Sequence, residues 1–308
     1  MSPLDLTVDL GRGLRLRNPV MAASGTFGYG LEYDDLVDLS QIGAIVVKGL
    51  SPQPRAGNAP PRIVETAGGM LNSIGLQNPG VHAFLAEKLP RLLERNAIVV
   101  ANVYGEQVED YVYVVEQLSG PQADGVSGLE INVSCPNVKA GGIAFGVDAD
   151  LLGALIARLR QCTDKHLMVK LSPNVTDIAM LARIAVQAGA DSLSAINTLL
   201  GMAIDLEARK PKLGNVTGGL SGPAIKPVAL RMAWQVAQAV DVPVIGVGGI
   251  MNGADALEFI CVGCRAVQVG TANFQNPQAP IQIAREMESW LVSHGLAGVD
   301  GLEGTLNF

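Results

Sequence analysis

Cysteine, histidine and aromatic residues are all scarce in this chain. Four cysteines in 308 residues cannot form a disulfide framework for a fold of this size, which points to a reducing compartment. The three histidines, His82, His166 and His294, fall on helices or helix–strand turns, so no His-based triad can be assembled at a strand exit. Aromatics are 4% of a composition that is 48% apolar; the core must come from Val, Ile, Leu and Ala, as in buried parallel strands. No apolar run approaches bilayer length, and Met1 to Pro19 lacks the apolar centre of a signal peptide. Positive charge is not in excess. With 22 Lys and Arg against 29 Asp and Glu, the net charge is −7, which argues against a nucleic-acid or anionic-membrane surface. A G-x-G-x-x-G after an early strand and a spare cysteine cluster for iron–sulfur ligation are also missing. These absences predict a cytoplasmic α/β protein.

What is present is a repeated strand–helix theme. After a small hairpin over Leu6 to Leu16, short apolar runs end in polar or glycine residues: Pro19 to Ala23, Ala44 to Val47, Ile98 to Ala101, Gly128 to Val133, Leu167 to Val169, Ser192 to Ile196, Val244 to Val247 and Ala266 to Val269. Helices are expected over Glu32 to Leu39, Val81 to Arg95, Glu106 to Leu118, Ala149 to Gln161, Asp177 to Ala188, Pro223 to Val240, Ala254 to Val262 and Pro280 to His294. Eight such pairs are the count of a (β/α)8 TIM barrel, and the length suits one domain spanning 1–308. A doubly wound open sheet is the competing architecture, disfavoured by the count and the missing fingerprint. Three βα connections are long, Gly49 to Pro79, Val133 to Asp148 and Asn197 to Gly222; all lie on the C-terminal face, where such loops form lids and substrate walls.

Strand ends remote in sequence meet at one barrel mouth. Here they gather Ser24, Lys48, Asn102, Asn132, Lys170 and Asn197, with the backbones of Gly248, Gly249, Gly270 and Thr271. Two strand-end lysines suggest an anionic ligand or a chemical role. Glycines after the seventh and eighth strands let N–H groups approach a phosphate, a feature that suits a flavin mononucleotide and a sugar phosphate equally. The stretch Leu129-Glu130-Ile131-Asn132-Val133-Ser134-Cys135-Pro136-Asn137 places an amide and a thiol at one strand exit. A free cysteine is more often inert than catalytic, but Cys135 has hydrogen-bonding neighbours, whereas Cys261 and Cys264 form a C-x-x-C without further ligands and read as structural. No metal site is expected.

These residues resemble the class 1 dihydroorotate dehydrogenases, flavin enzymes of pyrimidine (UMP) biosynthesis, and most closely the 1B type. The resemblance runs through Ala23-Ser24-Gly25-Thr26, Val47-Lys48-Gly49, Asn72 to Asn78, Asn132 to Asn137, Val169 to Pro173, Asn197-Thr198 and Gly218 to Pro223, and covers nearly the whole chain. It implies FMN held by Ser24, Lys48, Gly49, Asn102, Asn132, Lys170, Ile196, Gly222, Gly248, Gly249, Gly270 and Thr271. It implies a substrate, (S)-dihydroorotate, held by Lys48, Asn72, Ser73, Ile74, Gly75, Leu76, Asn132, Asn197 and Thr198, with Cys135 as the base. The 1B resemblance also implies a homodimer joined by two electron-transfer subunits that carry FAD and a [2Fe-2S] cluster and pass electrons to NAD+. The alternatives are a 1A enzyme using fumarate at the same mouth, a tRNA-dihydrouridine synthase-like flavin enzyme, an aldolase-type sugar-phosphate barrel with Lys48 or Lys170 as a Schiff base, and a non-enzymatic barrel subunit.

Overall fold

The computed structural model describes residues 4–134 and 145–307. Eight parallel strands close into a barrel: Val20–Ala22, Ala44–Val46, Val99–Val103, Val126–Asn132, His166–Lys170, Ser192–Ala195, Val244–Val247 and Ala266–Val269, with the last strand paired to the first. These are the eight apolar runs expected, and a closed ring leaves no edge strand to protect. Almost every strand residue is buried because helices cover the outer face and side chains fill the interior.

Helices start where a short polar side chain can accept an orphan backbone N–H. Asp148 caps Ala149–Arg160 by accepting from Leu151 N, Asp177 caps Ile178–Gln187 by accepting from Met180 N, and Asn252 caps Gly253–Cys261 by accepting from Asp255 N. Before Val108–Ser119, the Asp110 carboxylate accepts from the Gln107 and Glu106 N–H groups. Val81–Glu94 is helical with a π turn at Phe84–Lys88.

The helix expected over Glu32 to Leu39 does not form. The segment is a series of turns ending in a 3-10 turn at Leu39–Gln41. Its acidic side chains satisfy local backbone instead, Glu32 accepting from Tyr29 N and Asp38 from Ser40 N, which is the usual way Asp competes with a helix. After the eighth strand there is an additional short helix, Ala272–Gln275, before the expected long one, Ala279–Ser293.

The N-terminal hairpin, Val8–Asp9 paired antiparallel to Arg15–Leu16, seats its turn on the barrel's N-terminal end. Leu10 and Leu14 are fully buried, and the His166 ring bonds the Gly11 carbonyl at 2.9 Å and Ser192 Oγ at 2.7 Å. Arg12 and Arg160 both pair with Asp191. The opposite end stays open.

Over that open end, two of the long connections build a four-stranded antiparallel sheet that the sequence did not announce. Its order is Leu199–Met202, Thr217–Ser221, Gly69–Asn72, Ile63–Thr66, and Gly219 pairs with Asn72 across almost the full separation of the two connections. A further two-stranded ribbon joins Ile204–Asp205 to Lys210–Pro211. Much of the third long connection, Val133 to Asp148, lies outside the described residues.

Candidate active site

A cavity of about 500 Å³ opens between the C-terminal strand ends and the four-stranded sheet. Every residue expected at the mouth lines it, with one exception: Cys135 lies outside the described residues. Ser24, Lys48, Gly49, Asn102, Asn132, Lys170 and Ile196 come up from the first six strands; Gly222, Gly248, Gly249, Gly270 and Thr271 close one end; Asn72, Ser73, Ile74, Gly75 and Leu76, with Asn197 and Thr198, form the wall and roof.

The glycine end has the character of an anion cradle. Gly222 and Gly249 have φ of +100° and +73°, and a Cβ on Gly249 would sit 2.7 Å from Lys226 Cβ and 2.9 Å from the Gly222 carbonyl oxygen. Only glycine fits both demands. Among the described residues, the N–H groups of Gly249, Gly270 and Thr271 donate to no protein acceptor. Thr271 Oγ1 donates to Ser221 Oγ at 2.9 Å, which orders the loop beside them. The short helix Ala272–Gln275 follows directly, in the position where barrels of this kind often place a phosphate site.

The two lysines are in different electrostatic states. Lys170 is buried, with its Nζ 3.6 Å from Glu130 Oε1. Lys48 has no carboxylate within 4 Å among the described residues; burial, and secondarily the Arg62 guanidinium, push its ammonium down from the usual lysine value. A half-buried cation without a counterion, at the wall of a cavity, calls for an anionic ligand.

The amides are held by each other. Asn197 Nδ2 donates to Asn132 Oδ1 at 3.2 Å, Thr198 N donates to Asn197 Oδ1 at 2.8 Å, and Asn72 Nδ2 donates to the Gly219 carbonyl at 3.2 Å. Tyr111 donates to the Asn132 carbonyl at 2.8 Å, which fixes the strand end that precedes Cys135. Each amide keeps hydrogen-bonding capacity for a planar ligand with donors and acceptors on its rim.

Sequence reasoning passed over several groups. Arg62 and Ser221 line the cavity but sit in connections whose pairing was not foreseen. Glu130 was visible inside the central stretch yet received no role; its signal was a charged residue two positions before Asn132, hence on the same inward face of a buried strand. Cys264 is fully buried, and burial pushes its thiol well up, in keeping with an inert structural cysteine.

Fold and cavity together define a (β/α)8 barrel with a polar, lysine-bearing cavity at the C-terminal ends of its strands. The chain belongs to the dihydroorotate dehydrogenase family, whose profile it matches over residues 6–291. It is 60% identical over 303 residues to a protein of Pelobacter propionicus named dihydroorotate dehydrogenase B (NAD(+)), catalytic subunit, with 98% of each chain covered. Proteins of the same name from Citrifermentans bemidjiense and Geobacter sulfurreducens are 59% and 56% identical, covering 96% and 99% of both chains.

Proposed function

We propose that the chain is a single FMN-binding barrel domain that oxidises (S)-dihydroorotate to orotate in the cytoplasm, as the catalytic subunit of an NAD+-linked enzyme. The observation that carries this reading is the meeting of Lys48, Lys170 and the Asn132–Asn197 amide pair in one cavity that ends in the glycine cradle. The residues fit FMN: the unpartnered N–H groups of Gly249, Gly270 and Thr271 suit its phosphate, and Lys170, Asn102 and Ser24 suit the polar edge of a flavin ring. When bound, FMN supplies the acceptor for the hydride from substrate C6.

The chain's own residues supply binding and proton chemistry. Lys48 and the N–H groups of Ile74, Gly75 and Leu76 draw the substrate carboxylate, and Asn132, Asn197 and Thr198 read the ring amides. The Cys135 thiolate takes the C5 proton as the C5–C6 double bond forms. The thiolate is the form that accepts the proton, so the rate of substrate oxidation rises with pH as the thiol, whose free pKa is about 8.5, ionises. Lys170 favours the negative charge that oxidation delivers to the cofactor side.

The electrons then leave through a partner. The relatives are named catalytic subunits of an NAD(+) enzyme, and this sequence carries no dinucleotide fingerprint or iron–sulfur cysteine cluster, which supports separate subunits carrying FAD and [2Fe-2S] around a homodimer. Leu200, Met202 and Ile204 on the strands and Leu206 in the turn that follows are exposed, an apolar surface suited to a protein partner. No helix among the described residues is long and apolar enough to cross a membrane.

The test is an absorbance spectrum of the purified chain under anaerobic conditions, before and after dihydroorotate. A yellow protein that bleaches with substrate and does not recover with NAD+ alone is the expected result. A protein that stays colourless after incubation with FMN refutes the flavin reading, and a yellow one that does not bleach refutes the substrate.

A further inference from the structure

Glu130 has no part in the chemistry above, yet it is a fully buried carboxylate inside the barrel. Among the described residues it is the single acidic side chain that is completely buried. Burying a carboxylate is costly unless its lone pairs are met, and here both oxygens are met. Oε1 accepts from Asn102 Nδ2 at 2.7 Å and lies 3.6 Å from Lys170 Nζ. Oε2 accepts from Ser194 Oγ at 2.9 Å and Gln268 Nε2 at 2.6 Å.

The partners are of two kinds. Ser194 and Gln268 hold the carboxylate from within the core, whereas Asn102 and Lys170 line the cavity. Glu130 itself does not line it. It therefore stands one side chain behind the ligand and reaches it only through these two groups. Its first consequence is orientation. Because Asn102 Nδ2 is committed to Glu130, the other end of the amide faces outward, and Asn102 Oδ1 lies 2.8 Å from where a Gly49 Cβ would be. A hydrogen-bond acceptor is thus presented at that wall of the cavity. Its second consequence is charge: the Lys170 ammonium reaches the cavity as half of an ion pair, not as a lone cation.

We propose that Glu130 is a positioning residue that tunes the bound flavin: it lowers the flavin's reduction potential by offsetting Lys170 and fixes Asn102 with its oxygen toward the cavity. The inference rests on the FMN reading above. A negative charge behind Lys170 disfavours the added negative charge of the reduced cofactor, and a lower potential favours handing electrons onward to a separate acceptor.

The experiment is dye-equilibrated redox titration of the FMN-loaded chain, in the wild type, Glu130→Gln and Glu130→Asp. Glu130→Gln removes the charge at nearly constant volume, and the equilibrium is expected to move at least tenfold toward reduced flavin, which is about 30 mV upward for a two-electron couple. Glu130→Asp keeps the charge but draws it back from Lys170, so a smaller shift of the same sign, at least twofold, is expected. An equilibrium within twofold of wild type in Glu130→Gln overturns the proposal. If that variant does not fold, Glu130→Asp decides alone, and an unshifted potential overturns it equally. A wild type that takes up no FMN is the failure of the flavin reading; a wild type that bleaches with dihydroorotate beside unshifted variants is the failure of this inference only.

Discussion

Two glycines with nearly the same φ separate conformational strain from a ligand cradle. Gly249 has φ of +73° and Gly295 has φ of +71°. An alanine in this left-handed region costs about 1–2 kcal/mol, and both substitutions incur it. At Gly295 the added Cβ meets nothing within 4 Å, so that cost is the whole effect. At Gly249 the Cβ falls 2.7 Å from Lys226 Cβ, 2.8 Å from Lys226 N and 2.9 Å from the Gly222 oxygen. Two of these atoms are backbone and cannot swing aside, which adds an overpacking cost of about 1–3 kcal/mol. With about 2.1 cal/mol/K of unfolding entropy per residue, a chain of 308 residues loses roughly 1.5 °C per kcal/mol. Gly295→Ala is therefore expected to lower Tm by about 2 °C and Gly249→Ala by about 3–8 °C. The displaced Gly249 N–H also leaves the phosphate corner, so the FMN dissociation constant should rise at least tenfold in Gly249→Ala and stay unchanged in Gly295→Ala. The assays are thermal melts of the flavin-free chains and fluorescence titration with FMN. Equal melting points and equal FMN affinity in the two variants would refute the cradle argument.

Other expectations follow from the same geometry. Cys135→Ala should keep its flavin but lose about 10²–10⁴-fold in the rate of flavin reduction by dihydroorotate; unchanged stopped-flow kinetics would remove the base assignment. Lys48→Met removes a cation that burial disfavours, so the ligand-free variant should unfold at a urea midpoint no lower than wild type while the dissociation constant for orotate rises at least tenfold. A lower midpoint would mean that Lys48 serves the fold. Burial pushes the His166 imidazole below its usual value, against the opposing bond to the Gly11 carbonyl. The unfolded chain then takes up a proton that the native one does not, so stability present above about pH 6.5 is lost as pH falls toward the depressed native value, by up to about 1.4 kcal/mol per pH unit. Denaturation of wild type and His166→Gln between pH 7 and 5 checks this, and parallel acid losses would contradict it.

Much of the site could be read from the chain because barrel strands are short apolar runs with polar stops. Lys48, Asn102, Asn132 and Lys170 each follow or end such a run, and closure of the ring brings them together whatever the intervening helices contain. Ser24, Asn197 and the Gly248–Gly249 and Gly270–Thr271 pairs were legible for the same reason. The glycine-lined end of the cavity was visible because the glycines stand directly at the exits of the seventh and eighth strands. The helix expected at Glu32 to Leu39 shows the limit of that reading: polar composition permits a helix, but Glu32 and Asp38 find backbone partners in turns first.

What the sequence by itself determined is the identity and order of the strand exits, because each depends on a few adjacent residues. Tertiary structure alone decided the four-stranded sheet, since Gly219 and Asn72 pair across a span in which neither segment's local pattern names the other. It also decided that Arg62 faces the cavity, and that the carboxylate of Glu130 is shared among donors from the third, fifth, sixth and eighth strands. Alternation along one strand says which face a side chain takes. Which groups meet it there depends on the register of strands far apart in the chain, and that register is set by packing the whole barrel at once.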